Sequence, residues 1–510
     1  MKNIFRTKIL VAGFLAMAGF LAACSNSDDG AAVAEAPKPA NTTTYFAALT
    51  GPQENPPALT VADGNATFTV NNDTGAIIGT VNTLNISANA AHIHIAEPGI
   101  NGPIIVPLTQ TPAGSGIWVV PANSVLTPDQ LTALKAGGLY VNVHTDLYPG
   151  GQIRGQIGRT VLTTTMSGAQ ENPPTPSRAT GSGTFSVDPV TRVLSARVVT
   201  AGITATAAHI HAGAIGVNAP VAIGFNQTAP GSGIWVPPAG TIMTADQYQA
   251  LISGGTYFNV HSTAFPGGEI RGQIGRDIFD VALVGAQEVP PVVGGGSATA
   301  RIVVNPTTRD VSGFITNNGV TATAGHIHSG LFGVNAPALF PATVSATNPA
   351  VWNLTPAVMT VAQHRALLFG NMYINTHSST FPGGEARAQI GKIVRTGVLA
   401  GANEVPPNTS TASGRARAEL DPNTLDISIT LITTGIVSPT GAHLHLAAAG
   451  TNGPIIVPLT EGPTGTWTSA PGAKLTQAQA VAFAAGGTYF NAHSTTLPGG
   501  EIRAQATGLD

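Results

Sequence analysis

Twelve of the thirteen histidines in this 510-residue chain recur in a pattern that could bind metal ions. A His-x-His pair, His92 and His94, is followed later by an Asn-x-His motif, Asn142 and His144. Residues i and i+2 of a β-strand share one face, so each motif presents its polar side chains together. If the two strands approach, three imidazoles converge, and imidazole is a ligand for Cu and Zn. Three histidines with an open position are typical of a catalytic Zn site or of some Cu sites.

The pattern occurs four times, at a constant spacing of 117 residues between the first histidines. The candidate metal ligands are His92, His94, His144, His209, His211, His261, His326, His328, His377, His443, His445 and His493. An equally simple interpretation is that these histidines are structural and hydrogen-bond the loops above them. The remaining histidine, His364, lies on a predicted helix, and we expect it at the surface.

Three further polar positions recur with the histidines, and each has a site role or a structural role. The asparagine of the Asn-x-His motif could orient the third histidine by a hydrogen bond to it. These residues are Asn142, Asn259, Asn375 and Asn491. A glutamate opens each repeat and an arginine follows each Pro-Gly-Gly, and we expect a structural ion pair between them. The pairs are Glu54 and Arg154, Glu171 and Arg271, Glu288 and Arg387, and Glu404 and Arg503.

A period of this length is long enough for each repeat to be a domain. We place the domains at residues 44–159, 160–276, 277–393 and 394–510, with almost no linker between them. In the first repeat, seven short apolar segments separated by turn residues predict β-strands, and Thr127 to Gly137 has the capping residues of one short helix. The sequence therefore predicts an all-β protein: four tandem antiparallel β-sandwich or Greek-key barrel domains, each with one short helix.

Composition supports this fold class and bears on the choice of partner. Glycine and proline are abundant, at 61 and 38 residues, and only 9% of residues are charged. The net charge is −3 and the chain has no basic run, which argues against a nucleic-acid partner. The single cysteine, Cys24, excludes an intramolecular disulfide.

The first residues have the layout of an export signal. Lys2, Arg6 and Lys8 precede an apolar stretch, and residues 21–24 (Leu-Ala-Ala-Cys) resemble the lipobox of bacterial lipoproteins. We expect a signal peptide at 1–23, lipidation of Cys24, and a flexible tether at 24–43. Because Ser25 follows the cysteine, the resemblance implies attachment to the outer membrane or the cell surface.

Three motifs of each repeat are similar to the CHRD (chordin) domain. They are the opening Gly-Ala-Gln-Glu-Asn-Pro-Pro, the central Ala-His-Ile-His, and the closing Asn-x-His with Pro-Gly-Gly and Arg. The resemblance covers residues 44–510 and implies an extracellular β-rich module, with little indication of activity.

A partial resemblance to Cu/Zn superoxide dismutase involves the same residues. It implies copper-ligand positions at His92, His94 and His144, and a substrate-guiding role for Arg154. The chain lacks a bridging histidine, a zinc loop and the disulfide cysteines of that family. We therefore take it as an indication of fold and metal, and not of dismutase activity.

Two functions of different classes remain open. One is a non-enzymatic, membrane-anchored array for binding or adhesion, whose partner is an extracellular or periplasmic protein or a glycan. The other is a protein that binds Cu or Zn at one three-histidine site per domain, with or without redox activity.

Overall fold

The computed structural model describes residues 41–463 and 465–508. The predicted signal peptide and Cys24 lie outside the described residues. The first strand begins at Thr42, so the last residues of the predicted tether are part of the fold.

Each repeat forms an antiparallel barrel or a nearly closed sheet, and the predicted fold class is confirmed. Domain 1 contains β1 (Thr42–Thr50), β2 (Asp63–Asn71), β3 (Ile77–Leu84), β4 (Ala90–Ile95), β5 (Ile104–Pro107), β6 (Thr109–Gln110), β7 (Ile117–Val119), α1 (Pro128–Ala136), β8 (Leu139–His144) and β9 (Ile153–Gln156). Domain 2 contains β10 (Thr160–Ser167), β11 (Thr180–Val187), β12 (Leu194–Ala201), β13 (Ala205–His211), β14 (Val221–Gln227), β15 (Ile234–Val236), α2 (Ala245–Ile252), β16 (Tyr257–Ser262) and β17 (Ile270–Gln273).

The other two repeats follow the same order of elements. Domain 3 contains β18 (Asp277–Leu283), β19 (Ser297–Val304), β20 (Asp310–Asn318), β21 (Ala322–Ser329), β22 (Ala338–Val344), β23 (Val351–Leu354), β24 (Ala357–Val358), α3 (Val361–Leu368), β25 (Met372–Ser378) and β26 (Ala386–Gln389). Domain 4 contains β27 (Ile393–Ala400), β28 (Ser413–Leu420), β29 (Ile427–Thr434), β30 (Pro439–Leu446), β31 (Ile455–Glu461), β32 (Thr466–Ser469), α4 (Gln477–Ala484), β33 (Thr488–Ser494) and β34 (Ile502–Gln505). A short 3₁₀ turn follows the first strand of each domain, at Gly51–Gln53, Gly168–Gln170, Gly285–Gln287 and Gly401–Asn403.

The strand order is that of a Greek key. In domain 2 it is β10-β11-β12-β15-β14-β13-β16-β17, and β10 pairs with β17 to close the barrel. Domain 4 is closed in the same way. In domain 1 the strand corresponding to β14 is divided into β5 and β6, which are separated only by Leu108. The Leu108 amide donates to the carbonyl of Ala91, so the sheet continues across this break.

The helices begin and end where the sequence predicts. The Thr127 hydroxyl accepts from the Gln130 amide, and the Gln130 side chain accepts from the Thr127 amide. This capping box recurs at all four helices. Gly137 adopts a left-handed φ of 79°, which ends the first helix at low steric cost. Among the described residues, no helix is both long and apolar enough to cross a membrane.

Each domain has its own hydrophobic core inside its barrel. Alternate residues of the wall strands point inward, and in domain 1 Ile93, Val141 and Val143 are fully buried in that core. The intervening residues, including His92, His94 and Asn142, therefore lie on the outer face of the wall. Loops cover this face, so that Asn142 is only 3% exposed.

The four domains contact one another. Arg301 of domain 3 donates to the Ala169 carbonyl of domain 2, and Gln287 of domain 3 donates to Asn423 of domain 4. Phe332, in a loop of domain 3, is buried against the core of domain 4. A cavity of about 580 Å³ is lined by residues of all four domains, including His364. The expected surface position of His364 is therefore wrong: it is 5% exposed on the inner face of α3.

Candidate metal centre

Strand register brings the two histidine motifs of each domain together. In domain 1, β4 pairs antiparallel with β8, so that His92 lies opposite Asn142 and Ala90 lies opposite His144. His92, His94 and His144 therefore project from one face of two adjacent strands. The same pairing is present between β13 and β16, β21 and β25, and β30 and β33.

The three imidazoles of each domain form a compact cluster. One nitrogen from each ring lies within 4.8 Å of the corresponding nitrogen of the other two, in all four domains. His92 Nδ1 is 3.1 Å from His144 Nε2, and His326 Nδ1 is 3.4 Å from His377 Nε2. Two nitrogens bound to one tetrahedral Zn²⁺ at about 2.0–2.1 Å are about 3.3 Å apart, so these spacings are suitable for a metal ion.

Backbone carbonyls determine which nitrogen of the second and third histidines carries the proton. His94 Nδ1 lies 2.9 Å from the Gly102 carbonyl, and His144 Nδ1 lies 2.9 Å from the Pro149 carbonyl. A carbonyl only accepts, so we assign the proton to Nδ1 in both rings. Nε2 then directs a lone pair into the cluster. The corresponding contacts in the other domains lie between 2.8 and 3.1 Å.

Many of these inward-facing nitrogens have no hydrogen-bond partner among the described residues. They include Nε2 of His94, His211 and His445, and Nδ1 of His209 and His443. A buried polar atom without a partner is destabilising by about 1–3 kcal/mol. These unpartnered nitrogens recur at equivalent positions in domains 1, 2 and 4, so each of these clusters could accept a bound species.

Burial favours the neutral, metal-binding form of the histidines in domain 1 and of His443 in domain 4. Burial lowers the pKa of His94 to about 4, although the hydrogen bond to the Gly102 carbonyl acts in the opposite direction. Burial, together with repulsion by the neighbouring imidazoles, lowers the pKa of His443 to about 4. In domain 1 burial also lowers the pKa of His92 and of His144. Proton competition for the ligand nitrogens is therefore weak at neutral pH.

A stacked column supports the buried histidine of each site. The His94 ring lies parallel to the Tyr140 ring at a centroid distance of 4.8 Å, and Arg154 Cζ lies 3.4 Å from the centroid of Tyr140. The column recurs at His211, Tyr257 and Arg271, at His328, Tyr373 and Arg387, and at His445, Tyr489 and Arg503. The column immobilises the imidazole in the orientation set by its carbonyl partner.

The recurrent arginine has a structural place in this column. Arg154 is 1% exposed and donates to the carbonyls of Ile100 and Glu97. Among the described residues, no salt bridge joins a repeat arginine to its repeat glutamate, so the expected ion pair does not form. Loop carbonyls satisfy the guanidinium instead. A guanidinium enclosed in this way does not fit the substrate-guiding role implied by the resemblance to superoxide dismutase.

The recurrent asparagine and glutamate form a second buried pair beside the histidines. Asn142 Nδ2 donates to Glu54 Oε2 at 3.2 Å, and Glu54 is 4% exposed. Burial raises the pKa of Glu54 to about 8, against the opposing effect of Arg154. Burial likewise raises the pKa of Glu171 and of Glu288 to about 7, and it raises that of Glu404.

Two components of the site were not predicted from the sequence. The tyrosines of the stacked columns occur two residues before each asparagine, and this spacing places them on the same face of the strand. The second glycine of each Pro-Gly-Gly packs directly on the asparagine and glutamate. A Cβ at Gly151 would lie 2.4 Å from Asn142 Oδ1 and 2.6 Å from Glu54 Oε1.

Comparison with known families agrees with this repeated arrangement. The CHRD domain family matches residues 45–157, 162–274, 279–390 and 395–506. The chain belongs to the CHRD family. The resemblance predicted from the sequence motifs is therefore confirmed, and the histidine cluster recurs once in each CHRD domain. No curated protein matches the chain.

The cluster of the first CHRD domain opens toward the fourth. A cavity of about 520 Å³ is lined by His92 and His144 of domain 1 and by residues of β28 and β29 of domain 4. Arg415 is among the domain 4 residues that line this cavity. In addition, the Arg417 guanidinium of domain 4 lies close enough to Tyr148 of domain 1 to oppose the rise that burial gives the pKa of Tyr148.

Proposed function

We propose that this protein is a metal-binding array that holds one Cu or Zn ion in each of its four CHRD domains. The observation that carries the proposal is the orientation of the ligand nitrogens. In each domain, carbonyls take the Nδ1 protons of two histidines. In domains 1, 2 and 4, Nε2 of the buried histidine is left without a hydrogen-bond partner among the described residues. An array of structural histidines would be expected to use these nitrogens in hydrogen bonds, because unsatisfied buried acceptors are destabilising.

Metal content tests the proposal directly. We expect the chain from Ser25 onward, purified without a histidine tag and loaded with Zn²⁺ or Cu²⁺, to retain about four ions after gel filtration. Inductively coupled plasma mass spectrometry on a protein of known concentration gives this stoichiometry. Metal content near zero with both ions would eliminate the proposal and leave the four domains as a non-enzymatic binding or adhesion array for a protein or glycan.

A double substitution identifies the ligands. Replacing His92 and His144 with Gln should lower the content from about four ions to about three, because domain 1 retains a single imidazole. His364→Leu is the matched control, because His364 is a buried histidine outside the clusters and its loss should leave four ions. Equal losses from both variants would show that the histidines act through general stability rather than by coordination.

We also propose that the protein is exported and lipid-anchored through Cys24. The support is the signal-like segment and the lipobox-like residues 21–24. Two or more acyl chains give stable attachment, so the metal sites would be held at a membrane surface. We expect mass spectrometry of the mature amino terminus to find a lipid-modified Cys24, and Cys24→Ala to release the protein from the membrane fraction. A mature terminus at Met1 would contradict this.

A further inference from the structure

The hydrogen bonds of each repeat asparagine determine which end of its amide faces the histidines. Asn142 Nδ2 donates to Glu54 Oε2 at 3.2 Å and to the Gly150 carbonyl at 3.3 Å. Asn259 and Asn491 donate in the same way to Glu171 and Glu404. Because the Gly150 carbonyl can only accept, the NH₂ end of Asn142 is turned toward it and toward Glu54. The carbonyl oxygen, Oδ1, is then the free end.

That oxygen is buried and in three domains has no partner. Asn142, Asn259 and Asn491 are between 2% and 5% exposed, and their Oδ1 atoms make no hydrogen bond among the described residues. In domain 3, Asn375 Oδ1 lies 2.9 Å from His328 Nε2 and 3.1 Å from His377 Nε2. In domain 3 the amide oxygen therefore lies between His328 and His377.

The contacts in domain 3 join acceptors to acceptors. His328 Nδ1 donates to the Ala336 carbonyl, and His377 Nδ1 donates to the Pro382 carbonyl, so neither Nε2 carries a proton. Asn375 Oδ1 also has only lone pairs. Three lone-pair donors within about hydrogen-bonding distance repel one another unless a cation lies between them.

We propose that Oδ1 of Asn142, Asn259, Asn375 and Asn491 is the fourth protein ligand of each metal site. This inference rests on the proposed metal-binding function and specifies its ligand. Three imidazole nitrogens with one amide oxygen favour Zn²⁺ or Cu²⁺ over Cu⁺, because an oxygen donor suits harder cations and Cu⁺ prefers soft sulfur. Four protein ligands also match the donor count of closed, structural zinc sites.

The glutamate has a positioning role in this arrangement. Its carboxyl group keeps the amide from rotating by accepting from Nδ2, and the glycine of Pro-Gly-Gly closes the space around both side chains. Glu288→Leu removes the acceptor for Nδ2 and should weaken metal binding in domain 3. Glu288→Gln, which retains an oxygen acceptor, should restore it.

The test compares Zn²⁺ and Cu⁺ at the domain 3 site of the otherwise intact chain. Asn375→Leu removes the oxygen at similar size, and we expect one of the four Zn²⁺ sites to weaken by at least about 100-fold, because even groups that only orient a ligand contribute about 10–100-fold. Binding of Cu⁺ under reducing conditions should change by less than about threefold, since three imidazoles remain. Competition with chromophoric chelators measures both affinities.

Asn375→Asp distinguishes coordination from folding, because it restores an oxygen donor at the same position. We expect this variant to keep four Zn²⁺ ions. Unchanged Zn²⁺ affinity in Asn375→Leu would overturn the inference, and so would loss of Zn²⁺ in both Asn375 variants. A wild-type chain that binds neither metal would instead refute the proposed function itself, so the two failures are distinguishable.

Discussion

At the scale of single residues, the second glycine of each Pro-Gly-Gly motif determines how closely the backbone approaches the site. Gly151 has a φ of 131°, which side chains with a Cβ rarely adopt, and it packs on Asn142 and Glu54. A Cβ added to its neighbour Gly150 would meet no atom within 4 Å. The two glycines are adjacent in sequence but differ in what they tolerate.

This difference gives a prediction for domain 1. Gly151→Ala should displace the asparagine and glutamate, lower the metal content by one ion per chain, and destabilise domain 1 by about 1–3 kcal/mol. Gly150→Ala should retain four ions, because its added methyl group meets open space. Mass spectrometry of the loaded proteins and thermal unfolding measure both effects. Equal metal content and equal unfolding temperatures in the two variants would contradict the packing argument.

The sequence predicted which histidines cluster in each domain. The contacts that tyrosine, arginine and glutamate make around them depend on the three-dimensional fold. The His-x-His and Asn-x-His spacings predicted that the two polar side chains of each motif lie on the same face of their strand. In contrast, the parallel stacking of His94 on Tyr140 depends on the register between β4 and β8, which places His94 opposite Tyr140. The predicted ion pair of Glu54 with Arg154 failed because loop carbonyls, which no side-chain pattern reveals, bind the guanidinium.

At the scale of secondary structure elements, the helix of each domain shows one repeated position with four different residues. The fourth residue after the capping threonine is Leu131, Tyr248, His364 or Ala480. Only domain 3 has an imidazole at this helix position, and there it is buried. Burial, assisted by repulsion from Arg309, lowers the pKa of His364 to about 4, while Asp277 lies 4.0 Å from its Nε2.

Domain 3 should therefore carry an acid sensitivity that depends on this helix position. The unfolded imidazole has a pKa near 6.5 and the folded one near 4, so the unfolded state binds more protons between these values. The contribution of neutral His364 is complete above pH 6.5 and decreases as the pH falls toward 4, by about 2 kcal/mol at pH 5.

His364→Leu, the residue of domain 1, should remove this contribution to the pH dependence. We expect the gap in unfolding midpoint between pH 7 and pH 5, measured by calorimetry, to be several degrees smaller in the variant than in the wild type. If the unfolding midpoints of the two proteins changed equally with pH, the acid sensitivity could not be assigned to His364. The expectation of a surface position failed because His364 is covered where the four domains meet, which a single helix pattern cannot show.

Most strands of domain 1 were predictable from the sequence, and two were missed. All seven strands predicted in domain 1 are present, because alternating apolar residues and turn residues delimit them. The missed strands are β5 and β6, at Ile104–Pro107 and Thr109–Gln110. Prolines 103 and 107 interrupt the apolar pattern there, although pairing with β4 and β7 still forms.

At the scale of the whole molecule, the domains are similar in sequence but differ in their surroundings. Phe332 of domain 3 is 3% exposed against the core of domain 4, while the corresponding Ile215 of domain 2 is only half-buried. Phe332→Ala should therefore destabilise the unit formed by domains 3 and 4, by about 3–5 kcal/mol.

Calorimetric unfolding measures this loss, with Ile215→Ala as the matched control. The control should shift the unfolding temperature less, because the side chain is smaller and partly exposed. A larger shift from Ile215→Ala would indicate that the contact between domains 3 and 4 contributes little.

If the proposed metal sites are correct, the contact between domains 1 and 4 should affect how fast the domain 1 ion exchanges. Ser413 of domain 4 lines the cavity above His92 and His144, and a larger side chain there would narrow it. Ser413→Trp should slow the release of one ion in four to a chelator, measured by stopped-flow absorbance. Thr180→Trp, at the equivalent exposed position of domain 2, should leave all four release rates unchanged.

The shared cavity links the two ends of the chain, because residues of domain 4 form part of the wall beside the first histidine cluster. Truncation, proteolysis or mechanical extension that removes domain 4 would then open this side of the histidine cluster of domain 1, at the other end of the chain. An ion at this site would report whether the chain is intact from its first barrel to its last.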